Sequence, residues 1–279
     1  MLVAASLVGF ASNSVLCRLA LAAGEIDAAT FTAIRLVSGA IVLAALAFRS
    51  LRTWPGSFRA AFALFLYAAP FSYAYLELGA GMGALVLFGS VQVTMIGWGI
   101  ARGGERSPAA VWMGLLLAFG GLVGLTVPGK SAPPLLGALT MAFAGAMWGA
   151  YSLLGKASAT PPLVTTAANF VRTLPMIAVV LVLAALRNGT HVSVRGAVLA
   201  VASGALASGV GYSLWYAALK DLTATRAGIL QLVVPILASA AGVALLGEPI
   251  HLRLVLASVA TLGGVGLAIV GRNTASAPK

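Results

Sequence analysis

A pair of short signatures occurs twice in this sequence, 143 positions apart. Gly104-Glu105 is followed 15 residues later by Gly120-Gly121, and Gly247-Glu248 is followed at the same spacing by Gly263-Gly264. Each acid ends one long apolar run, and each glycine pair lies inside the next run. The repeat predicts a chain built from two related halves, each with five hydrophobic segments.

The composition places both halves in a membrane. The chain is 61% hydrophobic and 8% charged, whereas a soluble domain carries roughly 25% charged residues. A membrane-crossing helix needs about 20 apolar residues. Five charge-free runs have this length, and five further runs are shorter or interrupted by a charge: 78–101, 107–129, 131–155, 196–219 and 227–247, then 1–22, 28–48, 60–76, 162–186 and 254–271. We therefore predict an all-α membrane protein with ten transmembrane helices, of which 1–22 is the first rather than a removed signal.

The two halves are predicted to have opposite orientations in the membrane. The first half spans 1–128 and the second 133–272, with a Pro- and Gly-rich joint between them. Because five is an odd number of crossings, the second half enters the bilayer inverted relative to the first. Two inverted five-helix repeats around a central cavity are the architecture of secondary transporters.

The positive charges predict the orientation of the whole chain. The net charge is +11, and with the N-terminus inside, ten of the cations below fall on the inner side and four on the outer side. This bias predicts a multi-pass protein of the bacterial inner membrane with both termini cytoplasmic. The inner set is Arg49, Arg52, Arg59, Arg102, Arg106, Lys156, Lys220, Arg226, Arg272 and Lys279, and the outer set is Lys130, Arg187, Arg195 and Arg253.

The partners expected from this pattern are the lipid bilayer and a small-molecule substrate. No basic stripe is interleaved with aromatic residues, so nucleic acid is not expected as a partner. The Gly120/Gly124 spacing permits close helix contact between two copies but is common in membrane bundles. A monomer and a weak homodimer therefore both stay open.

The positions of the acidic residues argue against proton-coupled transport and enzymatic activity. All six map to loops or helix ends: Glu25, Asp27, Glu77, Glu105, Asp221 and Glu248. Proton-driven transporters usually carry an acid within the membrane, so we predict facilitative transport, with Glu77 as the proton carrier if transport is proton-coupled. No metal-ligand cluster or nucleophile with a nearby base is evident, and we predict no enzyme activity, no cofactor and no metal.

Four cations fall within or at the ends of apolar segments: Arg18, Arg35, Lys156 and Arg172. Placing an arginine there costs about 2.5–3.5 kcal/mol on insertion scales. Each cation either pairs with a loop acid or helix-end carbonyls or takes part in gating, and for Arg18 and Lys156 attraction of a substrate carboxylate is a further alternative. The acids available on each side are Glu25, Asp27 and Glu77 for Arg18 and Arg35, and Asp221 for Lys156 and Arg172.

Several short motifs resemble one family. They are Gly9-Phe10-Ala11-Ser12-Asn13 through Arg18, Phe31-Thr32-Ala33-Ile34-Arg35, the two Gly-Glu signatures, Trp148-Gly149-Ala150-Tyr151-Ser152 through Lys156, and Phe170-Val171-Arg172. In order and spacing they resemble the EamA branch of the drug/metabolite transporter superfamily. The run 87–95 is similar to its amino-acid exporters, including those of aromatic amino acids. The resemblance implies a ten-helix exporter with a cavity between its halves.

The cavity is predicted to be lined by aromatic and amide side chains. Gln92 occupies a position where the family usually has proline, so it either contacts substrate or forms a helix–helix hydrogen bond. Tyr67 and Trp215 are instead assigned to the headgroup region, as are Trp54 and Trp112. The predicted substrate-binding residues are Asn13, Tyr73, Gln92, Trp98, Trp148, Tyr151, Tyr212 and Gln231.

Such a cavity suits uncharged or zwitterionic organic molecules. The resulting hypothesis is an exporter of small organic metabolites, chiefly amino acids including aromatic ones, that works by alternating access. Efflux of lipophilic drugs and a non-transporting membrane scaffold subunit remain as alternatives.

Overall fold

A computed structural model describes residues 1–48, 50, 56–103, 108–126, 132–187, 189–222, 227, 230–231 and 233–275. The secondary structure in these ranges is helical apart from one antiparallel bridge, Ile26 to Val192. The first copy of the repeated signature, Gly104-Glu105, lies outside the described residues, as does most of the joint between the halves. The division at 1–128 and 133–272 therefore stays a prediction.

The helices follow the predicted apolar runs closely. We number them α1 (Leu2–Ala22), α2 (Ala28–Leu46), α3 (Phe58–Ala74), α4 (Ala80–Gly103), α5 (Ala109–Thr126), α6 (Leu135–Lys156), α7 (Pro162–Arg187), α8 (Val194–Lys220), α9 (Val233–Leu246) and α10 (Leu252–Ala275).

The helices present apolar side chains to their surroundings. Six of them (α1, α2, α4, α6, α7 and α8) are long and apolar enough to cross a bilayer. Outward-facing residues such as Leu116, Leu186 and Val259 are 70%, 78% and 67% exposed. A water-soluble protein does not expose apolar surface on this scale, so the chain is an all-α, multi-pass membrane protein.

Three helices begin with a side-chain cap. The side-chain oxygens of Asp27, Ser57 and Ser193 accept from the backbone N–H groups of Thr30, Ala60 and Gly196 at the starts of α2, α3 and α8. Each cap satisfies a backbone donor that a helix start leaves without an intrahelical partner. The caps therefore fix where the chain turns back after each loop.

Helices α1 to α5 pack extensively against helices α6 to α10. Helix α2 packs against α7 and α8, helices α3 and α4 pack against α6, and helix α5 packs against α10. Helix α1 packs against α8 and α9. Some of these contacts require glycine: a methyl group at Gly145 would overlap the carbonyl of Leu87, and one at Gly204 would overlap the carbonyl of Arg35.

Helix α8 is not α-helical throughout. Residues Ala202–Val210 in its middle form a π-helix, in which residues five apart are joined by backbone hydrogen bonds. Ser203 and Ser208 are five positions apart, and the wider turn of the π-helix brings them to the same side of α8. In an α-helix they would point about 140° apart, so the π segment is what turns both hydroxyls to the same neighbour.

Candidate functional site

The candidate site is a buried group of ring and polar side chains, most of them from α1, α2, α3, α6 and α8. We call it the central cluster and define it as Phe10, Asn13, Arg35, Tyr67, Trp148, Ser203, Ser208, Tyr212 and Gln231. Each of these side chains is buried.

Trp148 on α6 occupies the middle of the cluster. Its ring centroid lies 4.5 Å from that of Tyr212, 4.9 Å from Tyr67 and 5.3 Å from Phe10. Its indole Nε1 donates to Oε1 of Gln231 at 3.2 Å. These rings are close enough for favourable aromatic contacts, and together they form an apolar wall with one fixed polar point.

A hydrogen-bond network joins the tyrosine hydroxyls of the cluster to Asn13 and two serines. The hydroxyls of Tyr67 and Tyr212 are 2.9 Å apart, and Asn13 Nδ2 donates to both, at 3.2 and 3.4 Å. Ser203 and Ser208 both donate to Asn13 Oδ1. The π segment of α8 thereby fixes the orientation of the Asn13 amide.

Arg35 is a buried cation in this network, with only 1% of its surface exposed. Its Nε donates to Ser208 Oγ at 2.9 Å, and its Nη2 donates to the hydroxyls of Tyr67 at 3.1 Å and Tyr212 at 2.6 Å. The guanidinium carbon lies 4.7 Å from the ring centroid of Phe71. Pairing of Arg35 with Glu25, Asp27 or Glu77 was wrong, because the side chain turns into the bundle rather than toward the outer loops.

Two predicted cavity residues lie outside the central cluster. Tyr73 is 42% exposed and Trp98 is 48% exposed, so the structure places both on the surface of the bundle. Their helices, α3 and α4, contribute to the protein interior, but these two positions fall on other faces.

Two other predicted residues are buried beside the cluster. The Tyr151 ring lies 5.6 Å from that of Trp148 and 5.0 Å from that of Tyr216. Gln92 is buried on α4, and its contact with substrate stays a prediction.

The assignment of Tyr67 and Trp215 to the headgroup region was also wrong. Tyr67 is 3% exposed and Trp215 is fully buried. The Trp215 ring lies 5.4 Å from that of Phe10. Tyr67 belongs to the central cluster, and Trp215 packs against it. Trp112 is 53% exposed on α5, away from the cluster.

Arg18 joins distant parts of the chain at the side predicted to be outer. Its Nε lies 3.3 Å from Oε1 of Glu248, and its Nη1 donates to the carbonyls of Tyr75 and Leu76. Both Glu248 oxygens also accept from the backbone N–H of Ala80, at 3.0 and 2.7 Å. The predicted acid partners for Arg18 were therefore wrong, and the partner is the glutamate of the second Gly-Glu signature.

A second connection on the same side joins the α1–α2 and α7–α8 loops. Asp27 accepts from the backbone N–H of His191 at 2.9 Å, and the Glu25 carboxylate accepts from Ser193 and lies 3.5 Å from Arg195. Burial opposes ionisation of Asp27, but hydrogen bonds from Thr30 and His191 outweigh it and lower the pKa of this carboxyl below its ordinary value.

The remaining cations lie at the opposite end. Lys156 donates to the carbonyls of Leu219 and Leu222, which are helix-end carbonyls rather than the carboxylate of Asp221. The guanidinium of Arg172 lies over the Phe58 ring at 5.5 Å.

Glu77 is exposed and lines a 330 Å³ outer cavity with Arg18, Glu248 and His251.

Chemically, the central cluster is equipped to bind rather than to react. No three His, Cys, Asp or Glu side chains gather into a metal-binding group within the described ranges. The cluster offers aromatic faces, hydroxyls, amides and one cation, all held by contacts between both halves.

Comparison with known proteins places this architecture in a family. The model of the EamA-like transporter family matches residues 135–270, which include α6 to α9 and most of α10. The chain is also 49% identical over 272 residues to an uncharacterized protein of Pseudomonas aeruginosa, covering 96% of this chain and 93% of that protein. The chain belongs to the EamA-like transporter family.

A solved crystal structure has a similar fold. Its chain is 20% identical, the match covers 97% of this chain and 99% of that one, and the TM-score is 0.67. At this identity the likeness shows the fold alone. The family implies a membrane transporter of small metabolites.

Several residues of the EamA-like site were missed from sequence. Phe10 lies within the first-helix motif and Glu248 within the repeated Gly-Glu signature, so these motifs could have pointed to both residues. Tyr67 was assigned elsewhere, and Ser203 and Ser208 resembled ordinary small residues of a packed helix. Only the π segment reveals that the two serines share a face.

Proposed function

We propose that this protein exports small organic metabolites across the bacterial inner membrane by alternating access, and that its substrates are amino acids, including aromatic ones. The observation that carries this proposal is the central cluster. Its side chains come from α1, α2 and α3 and from α6, α8 and Gln231 of the second half. A site shared by two halves is exposed to one side or the other when the halves rock against each other.

The helix contacts support ten crossings in two inverted halves. If α1 to α5 correspond to α6 to α10, then the contact of α3 with α6 corresponds to that of α8 with α1, and α4 with α6 to α9 with α1. The contacts α2–α7, α4–α9 and α5–α10 each correspond to themselves. This is the pattern expected of a pseudo-two-fold axis between the halves. The distribution of positive charges supports cytoplasmic termini for this arrangement.

The chemistry of the cluster favours amino acids with apolar or aromatic side chains. Trp148, Tyr212 and Phe10 supply ring faces against which such a side chain packs. Arg35 and the tyrosine hydroxyls supply donors for its polar end. Apolar ring faces and polar donors thus lie within one cluster, as a ligand with one polar and one apolar end requires.

Transport is proposed to be facilitative. Glu25, Asp27 and Glu248 are engaged at the outer end, and Glu77 is exposed there. None of these four carboxylates lies in the central cluster, where a proton carrier would alternate between the two sides.

A flux assay in proteoliposomes tests the proposal. Liposomes are loaded with labelled amino acids, and efflux is measured with and without a proton gradient and compared with protein-free liposomes. We expect efflux of aromatic and large apolar amino acids that persists when the gradient is collapsed. Efflux that requires the gradient and is abolished by Glu77→Gln would contradict the facilitative mechanism, and absence of any flux would favour a scaffold.

A second candidate function is efflux of lipophilic compounds. A groove of about 600 Å³ opens between α1, α8 and α9, and its lining includes Val8, Leu206 and Leu245. These side chains are 57%, 66% and 64% exposed, and such a surface accommodates an apolar molecule from the lipid. Including a neutral lipophilic dye in the same assay distinguishes the two candidates.

A further inference from the structure

The central cluster contains a cation whose charge no described carboxylate balances. The three polar partners of Arg35 are the hydroxyls of Ser208, Tyr67 and Tyr212, all of them neutral. Its Nη1 is buried and has no hydrogen-bond partner among the residues that the structure describes. A buried charge is normally paired and fully hydrogen-bonded, because water no longer solvates it.

We infer that Arg35 Nη1 is the docking point for a carboxylate, so that the site takes small organic acids as their anions. This inference rests on the proposed function and specifies its substrate class. It makes the carboxylate the required group and leaves the amino group of an amino acid dispensable.

The orientation of Arg35 is fixed before any ligand arrives. Ser208 holds Nε, the two tyrosines hold Nη2, and Phe71 lies against the guanidinium plane. These contacts leave Nη1 as the one guanidinium nitrogen without a described acceptor. A ligand that accepts there meets a donor that is already oriented, and a charge-assisted hydrogen bond of this kind is among the strongest available to a protein.

Donors outnumber acceptors around Arg35. The bond between the Tyr67 and Tyr212 hydroxyls uses one of their two protons, and both oxygens also accept from Arg35 and Asn13. Asn13 Oδ1 already accepts from Ser203 and Ser208. The second hydroxyl proton is therefore left without an acceptor among these groups. An ionised carboxylate only accepts hydrogen bonds. It would accept from both Arg35 Nη1 and this hydroxyl, and its negative charge would balance that of Arg35.

The central cluster contains no carboxylate that would pair with an ammonium group. The Asn13 oxygen is occupied by two serines, and Gln231 Oε1 accepts from Trp148. Glu25 and Glu248 lie outside the cluster and pair with Arg195 and Arg18. A ligand thus gains from a negative end and does not need a positive one.

Three related probes separate the roles of the two ends. Tryptophan carries a carboxylate and an ammonium group, N-acetyltryptophan carries only the carboxylate, and tryptophanamide lacks the carboxylate. Initial rates are measured for each in proteoliposomes with the wild-type protein. We expect the first two to be carried and the amide to be carried at least tenfold more slowly, the factor that one charge-assisted hydrogen bond supplies.

Substitution of Arg35 then assigns that preference to one side chain. Arg35→Gln should reduce transport of both carboxylates about tenfold to a hundredfold and bring the acid-to-amide ratio close to one. Arg35→Lys keeps the positive charge but lacks the planar guanidinium group, so it should retain part of the preference for the acid over the amide. Arg187→Gln makes the same change at an exposed position on α7 and should leave the ratio unchanged.

The outcomes separate this inference from the proposed function. If the wild-type protein carries the amide as fast as the acid, or if Arg35→Gln keeps the wild-type ratio, the carboxylate site is wrong and the exporter stands. If none of the three probes moves, both are wrong. If Arg35→Gln does not yield folded protein, Arg35→Lys decides, since an unchanged ratio in that variant overturns the inference.

Discussion

At the scale of single residues, Glu248 is the acid with the largest structural role. It accepts from the backbone of Ala80 with both oxygens and pairs with Arg18, so one carboxylate joins α1, α4 and the loop before α10. We expect Glu248→Ala to lower the free energy of unfolding by about 1.5–3 kcal/mol, because a backbone donor and a cation lose a charged partner. Thermal unfolding in detergent measures the change.

Glu77 provides the control for this prediction. It lies in the same outer cavity but is exposed, and Glu77→Ala should change the free energy of unfolding by less than about 0.5 kcal/mol. Equal losses in the two variants would mean that the Glu248 contacts contribute nothing specific.

Residue identity could be predicted from sequence better than residue orientation. Trp148, Tyr212, Asn13 and Gln231 were chosen from their helices and motifs, and they meet in the cluster. Tyr73 was chosen on the same grounds and lies on the surface, while Tyr67, six positions earlier, is buried. In a membrane helix both the lipid face and the protein face are apolar, so periodicity does not reveal which tyrosine points inward.

At the scale of elements, the cap of α2 makes stability depend on pH. The pKa of Asp27 lies below its ordinary value of 3.8. Its charge therefore stabilises the fold above about pH 4, and that contribution is lost as pH falls through the lower, folded-state pKa. Asp27→Asn keeps a capping oxygen but removes the charge. We expect it to cost about 0.3–1 kcal/mol at neutral pH, the usual worth of a charge at a helix start.

Asp27→Asn and the wild-type protein should have the same free energy of unfolding once Asp27 is protonated in the wild-type protein. Unfolding midpoints compared at pH 7 and at successively lower pH, until Asp27 is protonated in the folded protein, measure this convergence. Asp221→Asn makes the same chemical change at the exposed end of α8 and should alter the midpoint little across this pH range. A cost for Asp27→Asn that persists in acid would show that the charge is not its cause.

Most helices were readable from sequence, but the π segment was not. The apolar runs gave the positions of the helices because charge is excluded from the bilayer. The conformation of Ala202–Val210 depends on close packing instead: Gly204 lies against the backbone of Arg35, and Ser203 and Ser208 reach Asn13, about 190 residues away. Contacts at such separation leave no local trace in a Gly- and Ser-rich run.

At the scale of the whole molecule, the inverted halves predict opposite sides for two matching loops. Ser57 and Ser193 cap α3 and α8, so cysteines are better placed at the exposed neighbours Ser50 and Thr190. In a Cys17→Ala background, an impermeant thiol reagent should label Thr190→Cys from outside the cell and Ser50→Cys only after lysis. Labelling of both from the same side would contradict the inverted arrangement.

The central claim is that the cluster around Trp148 lies on the substrate path, and the rate of tryptophan counterflow tests it most directly. Trp148→Ala removes the ring that contacts Phe10, Tyr67 and Tyr212, whereas Trp112→Ala removes an exposed ring on α5. With rates normalised to folded protein, the first change should reduce counterflow several-fold and the second should leave it near the wild-type value. A loss in Trp112→Ala equal to or greater than that in Trp148→Ala would contradict the claim.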